Sequence, residues 1–184
     1  MEIKSKSVLG AFTVKNPIFD DNRGSFQELY HKSRFIDNGL PNIFVQDNIS
    51  ISHKGVLRGL HMQTVNPQGK LVTCLNGEVY DVCVDLRPRS PTFKKWCAVV
   101  LNPELGESFY IPPGCAHGFL SLQDDSVLHY KCTTEYNKAS DSGLFYNDLS
   151  IGILWPTLDV PYIISDKDLR LPTIESYITV CGAV

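Results

Sequence analysis

Short stretches in which apolar residues recur at every second position, cut apart by Pro- and Gly-bearing turns, run through most of this chain. Side chains of a strand alternate between two faces, so such a pattern commits the chain to β-sheet and leaves helices little to organise. In Val79–Leu86, residues Tyr80, Val82, Val84 and Leu86 form one apolar face while Asp81, Cys83 and Asp85 occupy the other, which predicts a strand with one polar face. Lys70–Leu75 precedes it, and the Asn76-Gly77 pair between them predicts a tight hairpin, because both residues tolerate positive φ. Further strands are expected at Phe44–Ser52, Val56–Gln63, Trp96–Leu101, Ser108–Ile111, Ala116–Ser121 and Val127–Thr133. Only Ser33–Leu40 reads as a helix, with Ser33 as N-cap and Gly39 as terminator. So many short strands predict an all-β sandwich or barrel with short peripheral helices.

At 184 residues the chain suits a single domain over 1–184, with the stretch after Pro156 (157–184) read as a tail packed on the β core. Its 43% hydrophobic and 20% charged residues exclude a disordered chain. A net charge of -3 leaves no basic excess for a phosphate polymer, so nucleic acid is not expected as a partner. The longest apolar run, Trp96–Leu101, is far below the ~18 residues that cross a bilayer, so no membrane association is expected. The opening Met1–Lys6 has no apolar stretch of the secretory kind, and a cytoplasmic setting follows by default. Six scattered cysteines without a C-x-x-C pair read as reduced, mostly buried thiols.

Two segments concentrate the chemistry: Gly55-Val-Leu-Arg58-Gly-Leu-His61-Met-Gln63 and Gly106-Glu-Ser-Phe-Tyr-Ile-Pro112-Pro-Gly114-Cys-Ala-His117. Their spacing resembles the paired motifs of the cupin superfamily, whose fold is a jelly-roll β-barrel. The second motif matches well and the first in part, since Gln63 stands where metal-binding cupins place a second histidine. His61, His117 and neutral amides lack the carboxylate and third imidazole that hold a divalent ion, so no catalytic metal is expected. Taken alone, His61 reads as an ordinary packed strand histidine. With Arg58 and Lys70 nearby to receive an anion, it becomes a candidate general base, because an imidazole titrates near working pH.

Ordered motifs carry a more specific resemblance: Arg23-Gly24 to Glu28, Gln46-Asp47-Asn48, Arg58 to His61, Gln68-Gly-Lys70, Asp81 to Arg87, Pro112 to His117, Tyr130-Lys131, Asn147-Asp148, Trp155-Pro156 and Ser165-Asp-Lys167-Asp168. Together they resemble the dTDP-4-dehydrorhamnose 3,5-epimerase family from about Ile18 to Pro172. The resemblance implies a cofactor-independent epimerase of a nucleoside-diphosphate 4-keto sugar, and a homodimer that exchanges N-terminal strands from about residues 1–30. It also implies His61 as base, Asp168 as its orienting carboxylate, Tyr130 as acid on the opposite face and Lys70 as partner of the enolate oxygen. Arg23, Glu28, Gln46, Asp47, Asn48, Arg58, His117, Asp141 and Lys167 would bind the sugar nucleotide, with Tyr136 stacking on its base.

Met62, Cys115, Lys94 and Tyr146 depart from the family pattern, and Met62 and Cys115 are expected to reshape the pocket. Substrate identity therefore stays open between a thymidine-linked rhamnose precursor and another nucleotide-linked sugar such as a GDP-heptose, and so does inversion of one carbon or two. A ketoisomerase moving the carbonyl from C4 to C3, and a non-catalytic or metal-holding cupin, are the rival readings. Gln63 argues against the metal version. The joint presence of His61, Tyr130 and Asp168 argues against pure binding.

Overall fold

A computed structural model describes residues 1–181; residues 182–184 of the expected C-terminal tail lie outside the described residues, as do the side chains of Val180 and Cys181. The chain opens with β1 (Glu2–Ser5), β2 (Phe12–Lys15), β3 (Ile18–Asp21), β4 (Gly24–Gln27) and the helix α1 (Lys32–Asp37). The central strands follow as β5 (Gln46–Ser52), β6 (Leu57–Gln63), β7 (Lys70–Asn76), β8 (Val79–Asp85), β9 (Trp96–Leu101), β10 (Glu107–Ile111), β11 (Cys115–Ser121) and β12 (Ser126–Cys132). β13 (Asp141–Gly143) and the helices α2 (Asp166–Leu169) and α3 (Ile174–Cys181) complete it. None of the helices is long and apolar enough to cross a membrane among the described residues.

The strands form a six-stranded sheet, β1-β2-β10-β7-β12-β5, facing a five-stranded sheet, β13-β6-β11-β8-β9, while β3 and β4 make a separate ribbon. Every strand pairing within these sheets is antiparallel, as in a jelly roll. Val72, Phe109, Ile111 and Leu128 of the larger sheet pack between the layers against Val79, Cys83, Val99 and Phe119 of the smaller. On the outer side of the five-stranded sheet, Leu60, Val82, Val84 and Ala116 are covered by Ile151, Trp155, Ile174 and Tyr177. The outer side of the six-stranded sheet receives Phe35 of α1 against Phe12, Val14, Leu71 and Tyr110.

Two expectations need correction. Lys70–Leu75 and Val79–Leu86 are not a hairpin: β7 lies in the six-stranded sheet and β8 in the five-stranded one, so the turn passes the chain between layers. Gly77 sits at φ +71°, where a side chain would also meet Ser126, so the turn residue is correctly read but the partnership is not. The polar face of β8, read from the sequence as Asp81, Cys83 and Asp85, looks inward. Asp81 and Asp85 are fully buried between the sheets, and the apolar face is buried beneath the C-terminal segment. The second correction is that α1 begins one residue before Ser33, with the His31 ring nitrogen accepting from the Arg34 amide as its cap, and closes with the Gly39 amide donating to Ile36. The five described thiols, Cys74, Cys83, Cys97, Cys115 and Cys132, are free and buried.

Candidate active site

Strands β6, β7, β12 and β5 open together on a cleft of about 280 Å³, so side chains from both sheets meet in one space. His61 and Gln63 enter from β6, two positions apart on one face, as the period of a strand requires. Lys70 enters from β7, Tyr130 from β12, and Gln46 and Asn48 from β5.

The His61 ring nitrogen Nε2 lies 2.9 Å from Asp168 Oδ1. A carboxylate only accepts, so the proton belongs on Nε2 and leaves the Nδ1 lone pair available. Asp168 is held in turn, its second oxygen accepting the Gly59 amide at 3.0 Å and its own amide donating to the Ser165 cap at 3.1 Å. Burial opposes ionisation of Asp168, but the hydrogen bonds from His61 and Gly59 outweigh it and hold the carboxyl below the usual carboxylate range.

Lys70 is buried, and its ammonium makes no hydrogen bond or ion pair with the described residues. Burial draws its pKa below the ordinary lysine value. An unpaired cation in such a place costs stability, and it is set to gain most from an arriving anion. Burial likewise pushes the Tyr130 phenol up, so it keeps its proton, and its hydroxyl has no hydrogen-bond partner among the described residues. Because His61 and Tyr130 come from facing sheets, a basic nitrogen and an acidic hydroxyl border the cleft from two sides.

At the mouth, half-exposed Tyr136 donates from its hydroxyl to Asp141 Oδ2 at 3.0 Å, and Lys167 pairs with the same oxygen. Burial works against ionising Asp141, but Lys167 and the Tyr136 hydroxyl outweigh it and hold its carboxyl low. The Gln46 amide oxygen accepts the Tyr136 amide at 2.7 Å while its nitrogen donates to Asn48 at 2.9 Å. Arg58 lies beside the cleft, in an adjoining hollow of about 450 Å³ bordered also by His61, Lys167 and Asp168. Its guanidinium donates to Ser52 Oγ and the Ile51 carbonyl, each at 3.2 Å.

Four expected ligand contacts are not brought to the cleft within this chain. His117, the register partner of His61, is buried off the cleft, where Nε2 donates to both oxygens of Asp81 at 2.9 and 3.0 Å, and burial draws its pKa down. Asp47 alternates to the other side of β5 from Gln46 and Asn48 and pairs with Lys131 and His129. Glu28 pairs with Arg34, and Arg23 pairs with Asp21 on the β3–β4 ribbon. Cys115 also needs correction as a pocket-shaping residue: it belongs to the core between the sheets, whereas Met62 borders the cleft but packs in the core outside the five-stranded sheet. Gln63 and Gln68 line the cleft as well. Sequence reasoning treated Gln63 only as a missing metal ligand, although its two-residue offset from His61 already placed both on one strand face.

The sequence profile described as dTDP-4-dehydrorhamnose 3,5-epimerase matches residues 5–176. An epimerase of that description from Methanothermobacter thermautotrophicus is 48% identical over 163 residues, covering 88% of each chain. A Legionella pneumophila dTDP-6-deoxy-D-glucose-3,5-epimerase, solved in complex with dTDP-4-keto-L-rhamnose, superposes with a TM-score of 0.93 at 39% identity, covering 98% of this chain and 96% of that one. A Streptomyces bikiniensis 3'-monoepimerase in complex with dTDP-quinovose is also similar, with a TM-score of 0.90 at 33% identity over 98% of this chain and 91% of its own. A profile spanning nearly the whole fold, together with a relative almost half identical, establishes that the chain belongs to the dTDP-4-dehydrorhamnose 3,5-epimerase family.

Proposed function

We propose that this protein inverts C3 and C5 of a dTDP-linked 4-keto-6-deoxy sugar by proton removal and return through an enolate. The observation that carries the reading is the pairing of His61 on the five-stranded sheet with buried Asp168 of α2, opposite an unbonded Tyr130 hydroxyl and an unpaired Lys70 ammonium on the six-stranded sheet. The C4 ketone acidifies the hydrogens on its neighbouring carbons, because the electron pair left by deprotonation moves onto the carbonyl oxygen. His61 Nδ1 takes that proton, and Asp168 stabilises the imidazolium that results. Lys70 donates to the oxygen as its charge grows, in a site where little water competes. Tyr130 then gives a proton to the carbon from the other face, which inverts it.

Gln46, Asn48, Lys167 and Tyr136 are assigned to the nucleotide end, with Tyr136 stacking on the base. Arg23 is assigned to a second copy. The β3–β4 ribbon belongs to neither sheet and carries Phe19 and Phe26 exposed at 57% and 67%, as suits an arm that a partner covers. In that cytoplasmic homodimer each arm would bring its Arg23 to the other copy's cleft.

The test is incubation with dTDP-4-keto-6-deoxyglucose in D2O, followed by mass spectrometry and NMR. Incorporation of two deuterons with the ketone still at C4 is expected. One deuteron would restrict the enzyme to a single carbon, as the 3'-monoepimerase neighbour is named, and none would overturn the reading.

A further inference from the structure

The stretch that presents Tyr136 has no strand to hold it: β12 ends at Cys132 and β13 begins at Asp141. Its backbone is gripped instead by glutamine side chains from three separate segments. The Gln68 Nε2 donates to the Thr134 carbonyl at 2.7 Å. Next along the chain, the Gln63 Nε2 donates to the Glu135 carbonyl at 3.3 Å, and the Asn137 amide donates to Gln63 Oε1 at 2.6 Å. Gln46 takes the Tyr136 amide between them. Four consecutive residues are thus read through their main chain, independently of their side chains.

Gln63 is also fully committed. Its second N–H donates to the Asn66 carbonyl at 3.1 Å, which ties the β6–β7 connection to the same clasp. A primary amide has two donors, and both are used inside the protein. Although it borders the cleft, Gln63 is buried and keeps no hydrogen for a ligand. Its chemistry therefore fits holding and not binding. Fixing the approach of a ring in advance removes ordering cost from the binding step, which is how a residue that never touches the ligand changes affinity.

We infer that Gln63 and Gln68 are positioning residues for nucleotide recognition, setting the Tyr136 ring over the cleft through the backbone of Thr134–Asn137. The inference rests on the reading of Tyr136 as the surface on which the base stacks. Gln63, at the position where metal-binding cupins place a second histidine, would then serve as a clasp.

The experiment is a double-mutant cycle of Gln63→Met with Tyr136→Ala. It reads KM and kcat for the dTDP-4-keto sugar and Kd for dTDP alone, by calorimetry. Gln63→Met is expected to raise KM and the dTDP Kd about tenfold, the scale of losing one or two hydrogen bonds, with kcat at saturation within about twofold. In the Tyr136→Ala background the same change is expected to add less than about twofold, since there is no ring left to position. Equal effects in both backgrounds, or an unchanged Kd in folded Gln63→Met, overturn the clasp alone provided that Tyr136→Ala itself weakens dTDP binding. An unchanged Kd in Tyr136→Ala overturns the stacking reading and the clasp with it. Should Gln63→Met fail to fold by circular dichroism, Gln68→Met, which removes a single bond, carries the test: a smaller rise in the same direction supports the clasp and no rise overturns it.

Discussion

At the scale of single residues, the site separates groups that are spent from groups that are free. Asp168 is spent: both oxygens and its amide are engaged, and its charge is fixed by that environment. Asp168→Asn keeps the shape but removes the charge that stabilises a protonated His61, so kcat should fall by about 10²–10⁴-fold with KM little changed, measured by deuterium wash-in. Lys70 is free, and its burial without a partner is a cost carried by the fold. Lys70→Met should lower kcat by about 10²-fold or more while raising the melting temperature, an opposition that a purely structural lysine would not give. Lys94 is a third case. It stands at φ +66°, a conformation that suits glycine, with its amide bonded to the Asp85 carbonyl. Lys94→Gly should therefore stabilise the protein by about 1 kcal/mol, read by chemical denaturation.

At the scale of elements, the turns carry more of the architecture than the strands do. Gly77 lets β7 pass directly into β8 of the facing sheet, and a Cβ there would lie 2.5 Å from Ser126 Oγ. Gly77→Ala should cost about 1–3 kcal/mol, through positive φ and this contact, and shift the denaturation midpoint accordingly. The strand bodies were legible because alternation is a local signal: Trp96–Leu101 is found as expected, and β6, β7, β8, β10, β11 and β12 differ from expectation by a residue or so at their ends. The N-terminal strands β1 to β4 are only four residues each, too short for periodicity to register, and only the family resemblance pointed to strands there. The cap of α1 was misplaced because His31, a weak cap by propensity, takes the role through its ring nitrogen, three residues before the Arg34 amide that donates to it.

At the scale of the whole molecule, a network centred on buried Asp85 joins the layers. Asp85 at the end of β8 accepts from Arg87, Ser90 and Thr92, while Arg87 donates to the Leu9 carbonyl at 2.7 Å and Thr92 accepts the Leu9 amide at 3.0 Å. The β1–β2 loop of the six-stranded sheet is thereby pinned to the five-stranded one. Burial works against the Asp85 charge, but Arg87, Ser90 and Thr92 more than offset it and bring its pKa from 3.8 to about 2. A carboxyl whose folded pKa lies below its unfolded one contributes stability that is complete above the unfolded value and is lost as pH falls through the folded one. Unfolding free energy should therefore drop by on the order of 2 kcal/mol between about pH 5 and pH 2, and Asp85→Asn should flatten that limb of the curve.

By itself the sequence determined the central strands and His61 as a base candidate, and its family resemblance named Tyr130 as the acid, because alternation and motif spacing are written in neighbouring residues. Only the tertiary structure decided which strands are partners, that both faces of β8 are buried, that Arg23, Glu28, Asp47 and His117 stand off this chain's own cleft, and that Gln63 clasps the loop of Tyr136. Those outcomes depend on contacts between residues far apart in the chain, where the cost of closing loops is balanced against burial of whole sheet faces, and no local pattern encodes that balance.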